Sequence, residues 1–377
     1  MTAQTSPESA PRNPLAGLSA LGQSFWLDYI RRGMLHDGEL VRLIADDNLR
    51  GMTSNPAIFE KAIAGSHDYD AELRELAARG ADRDRAYETL VLRDIGDAAD
   101  MLRPVFDASG GVDGRVSIEV SPHLARDTAG TLAEARSLWE RLARPNIMIK
   151  VPGTTEGLPA IAALVREGIS VNVTLLFSVA RYEQVLEAFI TGLEQRRADG
   201  AEIGSVHSVA SFFLSRIDAL VDPRLDRYGT EPARALRGEA AIACARLAYA
   251  HYCRQTRGAR WQALAAAGAH PQRLLWASTS AKDPSYSDVK YVEPLIGPDT
   301  VTTLPPETVT AFRDHGRATR TLTDDPSSAH AVIAELAELD IDLDAVADQL
   351  EAEGINKFVQ PFDALLAAID ERLAAAR

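Results

Sequence analysis

Residues 147–151 read Ile-Met-Ile-Lys-Val, an apolar run with one lysine in it, and Pro-Gly follows at 152–153. Short apolar runs bounded by such turn residues are typical of buried strands. An ammonium group inside this kind of run must either reach water or be surrounded by polar partners, because an isolated buried charge is costly. The run therefore predicts a strand over residues 146–151 and makes Lys150 a candidate functional residue.

Similar runs recur along the chain, separated by longer segments with the periodicity of helices. The predicted strands are 24–27, 51–53, 115–120, 146–151, 169–174, 206–212, 274–279 and 301–303. Alternation of strands and helices indicates a parallel sheet covered by helices. Eight such units close naturally into a barrel, whereas an open doubly wound sheet more usually has roughly five or six strands and a glycine-rich first turn. The predicted fold is therefore α/β, a (β/α)8 TIM barrel with extra helices.

Helical patterns fill the gaps between the strands. The predicted helices are 82–102, 128–142, 179–198, 305–314, 342–352 and 356–375, and an Ala-rich helix lies within 237–268. The connection 55–114 is long enough for two or more helices. No repeat and no Pro/Gly/Ser-rich linker divides the chain, so we expect one domain over residues 15–377. Residues 1–14 are rich in Ser, Thr, Pro and Ala without periodicity and are predicted to form a flexible tail.

The charge of the chain excludes several classes of partner. Its 377 residues include 54 acidic and 40 basic ones, a net charge of −14, which gives no general attraction for nucleic acids or anionic lipids. No apolar run approaches the roughly 20 residues that a bilayer span needs. The amino-terminal residues also lack the basic and apolar regions of a secretion signal. We expect a cytoplasmic protein that binds neither nucleic acid nor membrane.

Cysteine and histidine usage gives no sign of a disulfide or a metal site. Cys244 and Cys253 are nine residues apart in the Ala-rich helix. That spacing corresponds to about 13 Å at about 1.5 Å per residue, too far for a disulfide, so both are expected to be buried thiols. The histidines show neither H-x-H nor H-E-x-x-H spacing, and glycine-rich nucleotide loops are absent. The sequence therefore predicts neither a metal nor a cofactor.

Polar residues at strand ends are the candidate functional residues, because the chemistry of such barrels collects at the C-terminal ends of the strands. These residues are Asp28, Thr53, Asn55, Glu119, Lys150, Asn172, Thr174, Ser211 and Ser278. Asn172 and Thr174 alternate onto one face of their strand. A packed barrel layer would prefer bulky apolar residues there, so the pair indicates a wet pocket.

Lys150 has two interpretations. A lone lysine at this place is more often a rim residue in a salt bridge. Alternatively, loss of surrounding water favours the neutral amine of a lysine, which can attack a carbonyl and form a Schiff base. Glu119 and Asp28 would lie on nearby strands and could move protons in that reaction. Glu119 by itself is more often a structural ion-pair partner than a catalyst, and Asp28 is equally compatible with the N-cap of a helix starting at Tyr29.

Residues 211–216 are Ser-Phe-Phe-Leu-Ser-Arg, with Ser211 at one end and Arg216 at the other. This pattern predicts a strand end followed by a first helical turn. A helix N-terminus together with an arginine suits a phosphate group. The common alternative is an exposed arginine without such a role.

Four segments in order resemble the transaldolase family: MTSNP at 52–56, VSIEV at 116–120, IMIKVPGT at 147–154 and VNVTLLFS at 171–178. The similarity continues through 276–279 and 356–358 and so covers nearly everything from residue 15 onward. Chain length and residues 303–308 resemble the larger bacterial subclass. The resemblance implies a barrel of the class I aldolase type and a Schiff-base enzyme that needs no cofactor.

The resemblance also implies an activity in the non-oxidative pentose phosphate pathway. A dihydroxyacetone unit would move from sedoheptulose 7-phosphate to D-glyceraldehyde 3-phosphate, giving D-erythrose 4-phosphate and D-fructose 6-phosphate. The partners would then be small sugar phosphates. Whether the protein is a monomer or a homodimer is left open by the sequence.

Roles follow from the resemblance residue by residue. Lys150 matches the Schiff-base lysine, Glu119 the carboxylate that works through a water, and Asp28 the aspartate that takes the hydroxyl proton in carbon–carbon cleavage. The residues matching those that hold the water and the sugar hydroxyls are Asn55, Thr53, Asn172, Thr174 and Ser211. Arg216 matches a phosphate-binding arginine, with Ser278 beside it.

The chain departs from the family at a second phosphate-binding arginine, whose position is occupied by Ser280. We expect Lys282 to supply that positive charge as a point charge, without the bidentate geometry of a guanidinium. Two other functions stay open: an aldolase on the same barrel that releases free dihydroxyacetone to water, and a non-catalytic barrel that binds a sugar phosphate.

Overall fold

The computed structural model describes residues 13–323 and 325–376. Eight parallel strands form a closed barrel in sequence order, and β1 pairs with both β2 and β8. Strands β1–β8 are Gln23–Asp28, Gly51–Thr53, Arg115–Glu119, Ile147–Pro152, Val171–Leu176, Ser208–Phe213, Arg273–Ala277 and Thr300–Leu304. The predicted (β/α)8 barrel is confirmed, with every predicted strand present to within two residues at each end.

Within the described residues, helices surround the barrel and extend its connections. Helices α1–α16 are Pro14–Ala20, Arg32–His36, Glu39–Asp46, Pro56–Ala64, Asp70–Ala78, Arg83–Ala108, Thr128–Leu142, Gly157–Glu167, Val179–Ala198, Ser215–Tyr228, Glu231–Ala235, Ala240–Arg257, Ala259–Ala265, Pro306–His315, Ser327–Glu338 and Leu343–Ala376. Side chains cap several of them, and Ser178 and Asp127 accept hydrogen bonds from the first turns of α9 and α7. These two helices have the predicted bounds.

The C-terminal helix differs from the prediction. Residues 342–352 and 356–375 were predicted as two helices, but α16 is one helix of 34 residues with Gly354 and Pro361 inside it. Glycine costs about 1 kcal/mol inside a helix and favours a break. Here α16 packs on α4, α5, α6 and α10 along its length, and this burial outweighs the local preference.

The structure also bears on the predicted tail before α1 and on the two cysteines of α12. Most of the predicted tail, residues 1–14, lies outside the described residues, but Asn13 accepts a hydrogen bond from the Leu15 amide at 3.0 Å and Pro14 begins α1. In α12, Cys244 is a buried free thiol as predicted, whereas Cys253 is only half-buried, because nine residues make about two and a half helical turns and place it on the face opposite Cys244.

No helix of the described residues is both long enough and apolar enough to cross a membrane.

Candidate active site

Glu119, Lys150 and Asn172 lie side by side on β3, β4 and β5, with Glu119 as the last residue of β3 and Asn172 near the start of β5. The strand register pairs Glu119 with Lys150, and Lys150 with Asn172. Lys150 Nζ donates to the carbonyl oxygen of Ser54 at 2.7 Å and lies 3.4 Å from Glu119 Oε2. The lysine side chain is only 6% exposed. Lys150 therefore lies inside the barrel, paired with a carboxylate, and not at its solvent-exposed rim.

The carboxyl group of Glu119 has two polar neighbours. Lys150 is one, and the Thr174 hydroxyl, 3.5 Å from Oε1, is the other. Burial raises the pKa of Glu119, and the positive charge of Lys150 opposes that rise. A carboxyl group in this situation can hold a proton more strongly than an exposed glutamate and still lies close enough to an amine to exchange one with it.

Asp28 lies at the end of β1, in register with Thr53 on β2. Thr53 donates its hydroxyl proton to Asp28 Oδ1 at 2.7 Å, so the 2.8 Å contact with Thr303 Oγ1 must have Thr303 as its donor. Burial raises the pKa of Asp28, and Lys150 opposes the rise. The alternative of an N-cap is wrong, because no helix starts at Tyr29 and α2 begins only at Arg32.

A layer of hydrogen-bonded side chains lies beneath these groups. Ser211 donates to Asn172 Oδ1 at 2.6 Å, and Asn172 Nδ2 donates to Ser117 Oγ at 3.1 Å. Asn172, Thr174 and Ser211 are all buried, but only Thr174 and Ser211 line the cavity above. Asn172 therefore acts on the cavity by orienting Ser211.

A cavity of about 360 Å³ opens above this layer at the C-terminal face of the barrel. The predicted residues that line it are Asp28, Thr53, Asn55, Lys150, Thr174, Ser211, Arg216, Ser278 and Lys282. The two others, Glu119 and Asn172, contact lining residues directly. Such a volume is within the range of small-molecule sites, roughly 300–1,000 Å³. The fold thus brings all the predicted site residues to one place.

A larger cavity, about 620 Å³, lies outside the barrel between α6, α7 and α16. Glu119 is the one predicted site residue in its lining, and the lysine and Asp28 are absent from it. We therefore assign the candidate active site to the smaller cavity, where the reactive groups meet.

Asn55 has a structural role at the edge of the cavity. Its side-chain oxygen accepts a hydrogen bond from the Ile58 amide at 3.0 Å and caps α4. Because that oxygen is occupied, the side-chain amide group remains for interaction with anything bound in the cavity.

One end of the cavity is positively charged. The Arg216 guanidinium lies 5.3 Å from the Phe213 ring centre, and its buried Nη1 has no hydrogen-bond partner among the described residues. Lys282 Nζ donates to Ser280 Oγ at 2.7 Å. Burial lowers the pKa of both cations, and Arg216 lowers that of Lys282 further. An anionic group bound between them would relieve both effects, so this end suits a phosphate.

Ser278 connects this end to the barrel. It follows β7 with a φ of +55°, a left-handed conformation that is uncommon for serine and recurs at functional sites. Its carbonyl oxygen accepts from the Ser215 amide at 3.1 Å, and the two hydroxyls are 2.9 Å apart. The start of α10, which carries Arg216, is thereby fixed to the end of β7.

Sequence reasoning missed two contributors to the site. The carbonyl oxygen of Ser54 accepts from Lys150, but a main-chain acceptor leaves no mark in the sequence. Phe358 on α16 lines the cavity, with its ring centre 6.0 Å from Lys150 Nζ. Phe358 follows no strand, and the only signal for it was its place in the 356–358 segment of the family resemblance.

No group of three or more His, Cys, Asp and Glu side chains within 13–323 and 325–376 is arranged to hold a metal ion.

Comparison with known proteins agrees with the geometry. The model of the Transaldolase/Fructose-6-phosphate aldolase family matches residues 25–369. A transaldolase of Parafrankia sp. is 52% identical over 364 residues, which cover 96% of this chain and 99% of that protein. A transaldolase of Thermobifida fusca is 51% identical over 364 residues, with the same coverage, and transaldolase 2 of Nostoc sp. is 47% identical over 372 residues, covering 96% and 98%. The family resemblance seen in the sequence is confirmed, and the chain belongs to the transaldolase/fructose-6-phosphate aldolase family.

Proposed function

We propose that the protein is a transaldolase that forms a Schiff base on Lys150. It transfers a dihydroxyacetone unit from sedoheptulose 7-phosphate to D-glyceraldehyde 3-phosphate, giving D-erythrose 4-phosphate and D-fructose 6-phosphate, in the non-oxidative pentose phosphate pathway. The observation that carries the proposal is the buried Lys150, 3.4 Å from Glu119, at the base of a cavity whose other end holds Arg216. A binding protein has no use for a buried amine paired in this way.

The reaction begins at Lys150. Its neutral amine attacks the ketone carbon of the donor, and the resulting carbinolamine loses water to give a protonated imine. Glu119 supplies the proton for the departing hydroxyl and takes one back during hydrolysis, through a water. Its raised pKa supports this exchange, because burial makes the carboxyl hold a proton more strongly than an exposed glutamate does.

Asp28 takes the proton of the donor's C4 hydroxyl. As this proton leaves, the C3–C4 bond breaks, the aldehyde product departs, and the electron pair moves into the imine. Thr53 donates to Asp28 Oδ1 at 2.7 Å, which leaves Oδ2 as the base. The three-carbon unit then attacks the acceptor aldehyde, Asp28 returns the proton to the new hydroxyl, and hydrolysis restores the amine.

Phosphate recognition falls to the positive end of the cavity. Donor and acceptor both carry their phosphate on the terminal carbon opposite the carbonyl end of the chain. Arg216 has an unpartnered buried donor atom, and Lys282 stands at the same end, so both substrates can be oriented by the same two cations. The sugar hydroxyls then face the polar side chains of Asn55, Thr174 and Ser211.

Borohydride reduction of the protein mixed with fructose 6-phosphate tests this proposal. A reduced dihydroxyacetone adduct is expected on the peptide that contains Lys150, and on no peptide of a Lys150→Met variant. Lys290→Met, which changes a lysine away from the cavity, serves as the matched control and should keep the adduct. A folded parent protein that gives no adduct would refute the proposal and favour a sugar-phosphate-binding barrel.

Product analysis then separates transfer from simple cleavage. A transaldolase forms fructose 6-phosphate from sedoheptulose 7-phosphate only when an acceptor is present. Equal amounts of free dihydroxyacetone with and without D-glyceraldehyde 3-phosphate would instead assign the aldolase activity.

A further inference from the structure

Phe358 contacts both ends of the candidate active site. Its ring centre lies 6.0 Å from Lys150 Nζ and 5.8 Å from the central carbon of the Arg216 guanidinium. The ring also meets Phe213 edge to face at 6.4 Å. The side chain is buried and lines the cavity. A single aromatic ring from the C-terminal helix therefore stands over the amine and the phosphate-binding arginine together.

The packing of α16 fixes this position. Gly354, one turn before Phe358, lies against Leu175, where a Cβ would come within 2.9 Å of Leu175 Cδ2. Leu175 itself has a φ of +61°, and the pairing of β5 with β6 shifts register between Val173 and Leu176. Residues four apart share one face of a helix, so the close approach at Gly354 also brings Phe358 onto the barrel. The ring is held over the cavity by the fold of the strand beneath it.

The reaction in the proposed function leaves a three-carbon carbanion on Lys150, and this intermediate has two fates. In transfer, the carbanion attacks the acceptor aldehyde. In release, a proton from solvent binds the carbanionic carbon, water adds to the imine carbon, and the C–N bond breaks. Release yields free dihydroxyacetone and the lysine amine. Only release requires solvent to reach the carbanionic carbon before the acceptor does.

We propose that Phe358 retains the three-carbon unit by keeping solvent away from the carbanionic carbon beside the imine at Lys150, and so sets the ratio of transfer to release. The inference rests on the proposed function. An apolar ring that lines the cavity about 6 Å from the amine reduces the space open to water beside the covalent intermediate. Its π face also contributes to holding the Arg216 guanidinium, a cation–π contact that an aliphatic side chain cannot replace.

Truncation of Phe358 tests the proposal. In Phe358→Ala we expect the ratio of free dihydroxyacetone to fructose 6-phosphate to rise by about tenfold, the effect of about 1.4 kcal/mol on competing barriers. Phe358→Leu keeps an apolar cover and should raise the ratio by only about two- to threefold. Both products are measured in one mixture of sedoheptulose 7-phosphate and D-glyceraldehyde 3-phosphate, together with the borohydride adduct and the melting temperature of each variant.

Phe362 provides the matched control. It lies one turn further along α16, with its ring 5.4 Å from that of Tyr87, and lines the outer cavity. Phe362→Ala removes the same ring from the same helix and should leave the product ratio unchanged.

Each outcome decides the question. An unchanged ratio in Phe358→Ala, with the adduct still forming, overturns the proposal and leaves the transaldolase assignment intact. An equal rise in Phe362→Ala also overturns it, because loosening of α16 would then be the cause. If Phe358→Ala does not fold, the ratio in Phe358→Leu decides. Absence of an adduct in the parent protein refutes the proposed function itself.

Discussion

Tyr286 donates its hydroxyl proton to Asp222 Oδ2 at 2.6 Å, which joins the segment after β7 to α10. Tyr291, further along the same segment, donates to Asp218 on α10 at 2.8 Å. Lys282 lies in that segment, and Arg216 lies in the first turn of that helix. The two proposed phosphate-binding cations are therefore held relative to each other by tyrosine–aspartate hydrogen bonds outside the cavity.

Removing one of these hydrogen bonds should weaken phosphate recognition. We expect Tyr286→Phe to raise the KM for D-glyceraldehyde 3-phosphate by about three- to tenfold, since one hydrogen bond contributes about 0.5–1.5 kcal/mol. The KM for unphosphorylated D-glyceraldehyde should not change. Tyr249→Phe, which removes a hydroxyl bound to the Pro298 carbonyl oxygen at 3.2 Å, is the control. Equal effects on both acceptors would show that Tyr286 does not act through the phosphate site.

Lys282 should be the cation that replaces the family's second arginine. Lys282→Ala is expected to raise the KM for phosphorylated substrates by about tenfold, the loss of one charge-assisted hydrogen bond. Ser280→Arg in the same variant should restore most of the affinity. Lys357→Ala removes an exposed lysine whose partner is Glu353 and should have no effect. If Lys282→Ala binds both phosphorylated substrates normally, Lys282 is not part of the phosphate site.

Glu119 should control imine formation and hydrolysis. We expect Glu119→Gln to slow formation of the borohydride-trappable adduct by about 10²- to 10⁴-fold, the range of general acid–base catalysis. Given enough time, the adduct should still reach Lys150. Glu134→Gln changes a second half-buried carboxylate, which accepts from the Ser121 amide at 3.1 Å, and serves as the control. Normal rates of adduct formation in Glu119→Gln, measured by rapid quenching, would contradict the role.

The stability of the protein should depend on the protonation of Asp218. Burial raises the pKa of Asp218 to about 6, from 3.8 in the unfolded chain, and the Ala241 amide and Tyr291 hydrogen bonds oppose the rise. Because the folded state binds this proton more tightly, the contribution is fully present below about pH 4 and is lost as the pH rises through about 6. The loss is on the order of 3 kcal/mol.

Asp218→Asn isolates this contribution, since asparagine does not titrate. Relative to the parent protein, the free energy of unfolding of the variant should increase between about pH 4 and pH 6 and stay level above that. Urea denaturation of both proteins across this range measures the difference. Parallel curves for the two proteins would show that Asp218 does not titrate with a raised pKa.

Local patterns predicted the barrel and much of its site. Short apolar runs such as 147–151 predict strands, because the strands of a parallel sheet are buried on both faces and therefore consist mostly of apolar residues. The polar residues Lys150, Asn172 and Thr174 stood out against those runs, and parallel strands necessarily bring their carboxyl ends to one face. For these residues, strand position in the sequence already implies position in space.

The sequence by itself determined the eight strands, their parallel closure and the placement of Lys150, because each depends on the residues of one strand and on the common direction of all. Only the tertiary structure decided that α16 runs unbroken past Gly354, that Phe358 covers Lys150, and that Tyr286 binds Asp222. These features depend on packing between elements far apart in the chain. Burial along α16 outweighs the local cost of glycine. No short segment encodes the direction of α16 across the barrel or the contact between two side chains that are distant in the chain.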